Sequence, residues 1–409
     1  MSTESRARAN WVESYVREHC FAAPATNVLS FGAELELLAF DDSTQAIAPI
    51  FPCVGKSCSL DLVRDVARRR AWRETVSDKG VPRFVSENEA SLTFEPGGQI
   101  EYASAVHGSI DGVLRELCSV ETQLRESAEQ CGIQLLTAGV DPFNAASDAP
   151  LQLTAARYSR MARHFATIGP DGARMMRQTA SLQVNIGGIS ALERWGVANA
   201  IAPWLVGMFA NSARYAGGDT NCASYRAETW RGVDPSRTGL FRGDDAVHEY
   251  AEFARDARAF LADDGSSCFV DLDAGLVTES TLATHLSTLF PEVRPRGYLE
   301  LRSLDAIDDS SRRAAMALVA GIIGDDEAAR DASALIGEAD EALLLRAGRR
   351  GLVDETLASK AGELVQIALG GCRRLGSAVV SEEASSLLGA QATARLDAAH
   401  QAVSARIVH

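Results

Sequence analysis

Polar and apolar positions alternate over several short stretches of the chain, and elsewhere apolar residues recur every three or four positions. Alternation puts residues i and i+2 on one face of a strand, and it predicts strands at Phe31–Phe40, Arg83–Ser86, Ser91–Glu95, Gln99–Ala103, Ile133–Thr137, Ala180–Ile186 and Tyr298–Leu304. The 3.6-residue period predicts helices over Arg8–Glu18, Leu60–Val76, Ser109–Cys131 and Ala191–Tyr215. The last hundred residues carry only helical pattern, at Ser311–Ile323, Glu327–Arg346, Asp354–Leu375 and Glu382–Ile407. No repeat and no Pro/Gly/Ser linker divides the chain. The expectation is an α+β protein with one large domain, a sheet-containing core over residues 1–305 and a helical part over 306–409.

The polar sides of these strands share one chemistry. Glu34 and Glu36 face away from Leu35 and Leu37, and Thr93 and Glu95 face away from Leu92 and Phe94. After the turn Pro96-Gly97-Gly98, Gln99 and Glu101 oppose Ile100 and Tyr102. Ser181, Gln183 and Asn185 oppose Leu182, Val184 and Ile186, while Glu300 and Arg302 oppose Leu299 and Leu301. An antiparallel sheet with one solvated face accounts for any one strand. The set is different, because a solvated face mixes both signs of charge. If these strands are neighbours, Glu34, Glu36, Glu95, Glu101 and Glu300 crowd one surface and repel unless cations lie between them. Oxygen-only ligation suits Mg²⁺ or Mn²⁺, and magnesium in such sites bridges to phosphates. The pattern points to nucleotide chemistry.

Charge and composition narrow the field. With 40 basic and 55 acidic side chains the formal charge is −15, which argues against nucleic acid or an anionic membrane as main partner. Hydrophobic content of 46% and charged content of 23% exclude a disordered or low-complexity chain. Met1 to Tyr15 has charges throughout and no apolar signal-peptide core. The longest apolar stretch, around Ala200–Ala210, contains Pro203 and Gly207 and is too short to span a bilayer. A cytoplasmic protein without an obligate protein partner is expected. The eight cysteines form no C-x-x-C pair and read as free thiols, and Cys20 beside His19 has no second ligand pair at zinc spacing.

The usual nucleotide loops are missing. Gly55-Lys56-Ser57 lacks the first glycine of a P-loop, since Ile50 stands in its place. No G-x-G-x-x-G follows a strand, and no G-x-S-x-G elbow is present. Phosphates, if bound, fall to metals and arginines.

The same segments resemble the glutamate–cysteine ligase family of the plant and proteobacterial type, including its actinobacterial ergothioneine-pathway branch. Gly32-Ala33-Glu34-Leu35-Glu36 resembles that family's G-x-E-x-E strand, and Glu95-Pro96-Gly97-Gly98-Gln99-Ile100-Glu101 its E-P-G-G-Q-x-E hairpin. Arg157-Tyr158, Gln183-Val184-Asn185, Ala210-Asn211-Ser212, Arg226 with Trp230, Asp234 and Arg237-Thr238-Gly239 follow in family order. His285 to Arg294 and Tyr298-Leu299-Glu300-Leu301-Arg302 match the last family block. The resemblance covers about residues 30 to 305.

The resemblance implies a glutamine-synthetase-like catalytic fold, an antiparallel sheet forming a polar bowl with helices outside. It implies ATP-dependent activation of the glutamate γ-carboxylate as an acyl phosphate, attacked by the α-amine of cysteine. It further implies Mg²⁺, with Mn²⁺ as the alternative, held by Glu34, Glu36, Glu95, Glu101 and Glu300. Arg302 with Glu300 would be catalytic, Arg302 facing the γ-phosphate. Gln99, Gln183, Asn185, Tyr158 and Trp230, with Arg157, Arg226, Arg237 and Arg294, would bind glutamate or ATP, the tasks undivided among them. His285 reads as a packed core histidine.

One stretch departs from the family. After Tyr250-Ala251 the chain reads Glu252-Phe253-Ala254-Arg255-Asp256-Ala257-Arg258, with charges where the family has an apolar segment containing Pro, and Ala213 replaces the Pro after Ser212. Either the helix there faces solvent, or the acceptor pocket is rebuilt for another small amino acid. The competing functions are a non-catalytic glutamate- or nucleotide-binding relative and a kinase-like relative that phosphorylates without ligation.

Overall fold

The computed structural model describes residues 3–407 except 56, 77–79 and 264, so Lys56 of the near P-loop lies outside the described residues. The strands in chain order are β1 (Ser30–Asp41), β2 (Arg73–Val76), β3 (Pro82–Val85), β4 (Ser91–Phe94), β5 (Ile100–Ala103), β6 (Ile133–Leu136) and β7 (Ser181–Gly187). A two-stranded hairpin of β8 (Arg214–Tyr215) and β9 (Gly218–Asp219) follows, then β10 (Val293–Pro295) and β11 (Leu299–Asp305). All but the hairpin form one sheet in the order β10-β11-β7-β1-β5-β4-β3-β2, and β6 pairs with the far half of β1. The pairings are antiparallel throughout.

Register brings the polar sides together. Glu34 stands opposite Gln183 of β7 and Ala103 of β5, Glu36 opposite Glu101, and Glu300 opposite both Asn185 and Arg294. Directly opposed residues share a face, so the alternation seen in separate strands is one continuous polar surface. A bulge in β11 puts Arg302 and Ser303 against the single residue Gln183, which returns Leu304 to the apolar side opposite Leu182. That apolar side is covered by the helices Ile110–Gln130, Ala202–Phe209 and Asp309–Ile323. Buried side chains from Val12 to Ala399 form one contiguous core that includes the C-terminal helices.

Four expected helices differ in extent. The first begins at Thr3, ends at Tyr15 and continues as a π turn over Val16–Cys20. The second ends at Arg69, because Ala71 adopts φ +56° and turns the chain into the edge strand β2. The third breaks at Ile201 into Ala191–Ala200 and Ala202–Phe209, where Pro203 has no N–H for the preceding turn, and β8 follows instead of further helix. Glu327–Arg346 is two helices, Asp326–Ile336 and Glu341–Arg350, separated by Gly337 at φ +78° and an Asp340 cap. The strand β10 and the short helices over the polar face were not legible as such. No helix among the described residues is long and apolar enough to cross a membrane.

Candidate active site

A cavity of about 740 Å³ opens on the polar face of the sheet. Its floor runs from Arg294 and Arg296, through Arg302, Gln183 and Ser181, to Glu34, Glu36, Glu101 and Glu95. The helices Ala156–Ala166 and Asp171–Gln178 add Arg157, Tyr158, Met161, Met175 and Met176, and Tyr225–Arg231 adds Arg226 and Trp230.

The carboxylate side is held by backbone geometry. The β4–β5 turn packs on the end of the helix Asp171–Gln178, where a Cβ on Gly97 would lie 2.1 Å from the Arg177 carbonyl oxygen, and Gly98 adopts φ +99°. Only glycine fits both positions. Gln99 locks this turn: its Oε1 accepts from Gly97 N at 3.0 Å and its Nε2 donates to Thr179 O at 2.8 Å. Glu36 accepts from Ser181 N at 2.7 Å and from Gln183 Nε2 at 3.4 Å. Burial, and then Glu95, push the Glu36 carboxyl up to about 7. Burial and the charge of Glu300 raise Glu34, against the pull of the arginines.

The arginine side is organised by Glu300. Its carboxylate is wholly buried and accepts from Arg302, from Arg294 Nη1 at 3.0 Å and from Arg296 Nη1 at 3.3 Å. Burial opposes its charge, but the three guanidiniums hold its carboxyl well below the usual carboxylate range. Arg302 also donates to Gln183 Oε1, and Arg294 to Leu289 O at 2.6 Å. Arg226 donates to Arg302 O at 3.0 Å and lies 4.8 Å from the Trp230 ring centroid, while Trp230 Nε1 donates to Phe290 O. Arg157 reaches Ser287 Oγ at 2.9 Å. The Nε atoms of Arg157, Arg226, Arg294 and Arg302 are buried without a hydrogen-bond partner among the described residues. Arg237 and Arg312, away from the cavity, also have such Nε atoms; what sets Arg157, Arg226, Arg294 and Arg302 apart is that all four line the cavity, where an anionic ligand would meet their positive charge.

Glu34, Glu36, Glu95, Glu101, Gln99, Gln183, Arg157, Tyr158, Arg226, Trp230, Arg294 and Arg302 all line the cavity. Three expected residues do not. Glu300 lies beneath its arginines, and Asn185, next to it in register, has a buried Oδ1 without a hydrogen-bond partner among the described residues. Arg237 is buried elsewhere, bonded to Thr288 O and Oγ1 and 3.4 Å from Asp234, which also holds His164. His285 is core, its Nε2 donating to Ala254 O, and burial lowers its pKa to about 3. Of the divergent stretch, Glu252, Phe253 and Asp256 line a separate outer cavity of about 410 Å³, and no residue from Glu252 to Arg258 lines the polar cavity.

Tyr15, His19, Cys20, Tyr250 and Arg296 line the cavity without having been singled out as site residues. Arg296 could have been found in the Arg294-Pro295-Arg296 run just before the strand of Glu300 and Arg302, and Tyr15 and His19 by their i, i+4 spacing.

Among the described residues no three carboxylate, imidazole or thiol groups converge to cage an ion. The directly opposed pair Glu36 and Glu101, with Glu34 and Glu95 beside it on the cavity wall, fits the other mode of magnesium binding, one or two carboxylates completed by water and phosphate.

A crystal structure of glutamate–cysteine ligase from Francisella tularensis in complex with AMP shares the fold, at TM-score 0.52 and 13% identity, covering 90% of this chain and 82% of that one. The family described as glutamate-cysteine ligase family 2 matches residues 30–393. Glutamate–cysteine ligase EgtA of Mycolicibacterium smegmatis is 32% identical over 334 residues, 74% of this chain and 75% of that protein. The chloroplastic glutamate–cysteine ligase of Medicago truncatula is 29% identical over 267 residues, 60% of this chain and 52% of that one. Fold, cavity and relatives together define an ATP-dependent ligase with a glutamine-synthetase-like sheet. The chain belongs to glutamate–cysteine ligase family 2.

Proposed function

We propose that the protein joins the γ-carboxylate of glutamate to the α-amine of cysteine at the expense of ATP, through γ-glutamyl phosphate, and that residues 1–409 act as one cytoplasmic catalytic domain. The observation that carries this is a single cavity joining the wall carboxylates Glu34, Glu36, Glu95 and Glu101 to Arg157, Arg226, Arg294, Arg296 and Arg302. Glu34, Glu36, Glu95 and Glu101 would hold Mg²⁺, which would supply neutralisation of phosphate charge. Arg302 faces the transferring phosphoryl group, where a fixed guanidinium offsets developing charge. Glu300 holds Arg294, Arg296 and Arg302 in place. Arg157, Arg226 and Arg294 bind carboxylate or phosphate oxygens, and Tyr158 and Trp230 wall the substrates from water, which would hydrolyse the acyl phosphate. Gln99 fixes the turn that carries Glu95, and Gln183, bonded to both Arg302 and Glu36, orients the arginine end.

The test is ADP release by the purified protein with ATP, Mg²⁺ and glutamate, with and without cysteine, and mass spectrometry of the product. Formation of γ-glutamylcysteine with one ADP per amide supports the reading. ADP release that is independent of glutamate contradicts it.

A further inference from the structure

The cavity is electrically lopsided. Along the sheet order, the β10–β11 end holds Arg294, Arg296 and Arg302 around Glu300, with Glu34 of β1 within electrostatic reach of the same three arginines, and Glu36, Glu101 and Glu95 lie at the β1–β5–β4 end. The first end carries surplus positive charge and suits carboxylate-bearing ligands, whereas the second suits cations and the phosphates they bridge.

The three arginines are not equivalent. Arg302 is buried and Arg294 nearly so, and each has a second anchor, at Gln183 and Leu289 O respectively. The Arg296 side chain is 52% exposed and holds Glu300 through one 3.3 Å bond. It sits in the β10–β11 turn, where Gly297 adopts φ +73° and donates its N–H to Cys20 O at 2.7 Å. That bond ties the turn to the π turn Val16–Cys20, an irregularity common at functional sites. Tyr15 and His19 stack there with centroids 4.1 Å apart and planes within 2°. Tyr15, His19 and Cys20 line the cavity, yet they precede residue 30, where the family match begins.

We propose that Arg296, backed by the Tyr15–His19 pair, is a specificity-determining residue that receives the carboxylate of the acceptor amine. On this assignment the N-terminal turn, and not the stretch Glu252–Arg258, restricts the acceptor to a small α-amino acid. A planar guanidinium offers a carboxylate two parallel donors, and the stacked rings of Tyr15 and His19 line the same cavity, where they would meet the acceptor's side chain. The proposal rests on the ligase reading above.

The test compares initial rates of the full chain with glutamate, ATP and Mg²⁺ for two acceptor pairs that differ only by the carboxylate, cysteine against cysteamine and alanine against ethylamine. The wild type is expected to favour the carboxylate-bearing member by about 100-fold in kcat/KM, the scale of one charge-assisted contact. Arg296→Ala should reduce that preference to about threefold, through a rise in acceptor KM of about 10- to 100-fold. KM for glutamate should move by less than about threefold. Arg296→Lys should retain part of the preference, because it keeps the charge and loses the fork. His19→Ala, at an exposed ring, should widen acceptance of larger amino acids. An unchanged preference in Arg296→Ala, or a rise in KM for glutamate instead of the acceptor, overturns the assignment while leaving the ligase reading intact. Absence of glutamate-dependent ADP formation in the wild type overturns both.

Discussion

Glu36 on β1 and Glu101 on β5 are direct cross-strand partners on the cavity face. Like charges so placed destabilise a sheet, and burial with Glu95 raises Glu36 from 4.5 to about 7. A fold that keeps this arrangement gains from a cation between the strands.

That gives a pH prediction for the metal-free protein. Between 4.5 and about 7 the folded state holds the Glu36 proton and the unfolded chain does not, so stability falls as pH rises through this window. Glu36→Gln removes that fall. Its melting temperature should exceed that of wild type by a margin that grows from pH 4.5 to pH 7.5, while turnover drops by about two orders of magnitude. Thermal melts in chelator at several pH values check the first part; a margin constant with pH contradicts it.

Arg302→Ala should act on the chemical step. A contact made mainly in the transition state lowers kcat, here by about 10²- to 10³-fold, with KM for ATP within about threefold. Steady-state kinetics at saturating Mg²⁺ decide this. A large rise in KM with kcat preserved would place Arg302 in ground-state binding.

Arg237, expected at the site and found in the core, should behave as a stability residue. Removing a fully buried guanidinium leaves Asp234 and the network through His164 short of a partner, at a cost of about 3–5 kcal/mol. Urea unfolding of Arg237→Met should show that loss, with kcat/KM per folded molecule within about threefold of wild type. Lost activity at undiminished stability would mean that Arg237 reaches the substrates.

Period-two alternation made the cavity floor readable, because one face of each strand is buried and a one-residue slip would expose Leu35, Leu182 or Leu301. The register that makes Glu36 face Glu101 was not readable, since pairing partners are chosen by tertiary packing. The bulge at Arg302 and Ser303 left its trace only in Leu304, which breaks the alternation. Arg237 was misplaced because a motif match fixes neither the direction nor the burial of a side chain. Tyr15 and His19 were passed over because the helical period over Arg8–Glu18 does not say which face meets the sheet, and the bond from Gly297 N to Cys20 O that ties this segment to the β10–β11 turn joins residues far apart in the chain. Gly97 and Gly98 were legible as a turn from their residue types, whereas the close approach of Gly97 to the Arg177 backbone was not.

The most direct test of the central claim follows oxygen. Glutamate labelled with ¹⁸O in its γ-carboxylate is incubated with the enzyme, ATP, Mg²⁺ and cysteine, and the released phosphate is analysed by mass spectrometry. Attack of the γ-carboxylate on ATP, followed by amine displacement of phosphate, carries one labelled oxygen into each phosphate formed. The account predicts one ¹⁸O per phosphate, in step with γ-glutamylcysteine; unlabelled phosphate released alongside the amide would contradict activation of glutamate as an acyl phosphate.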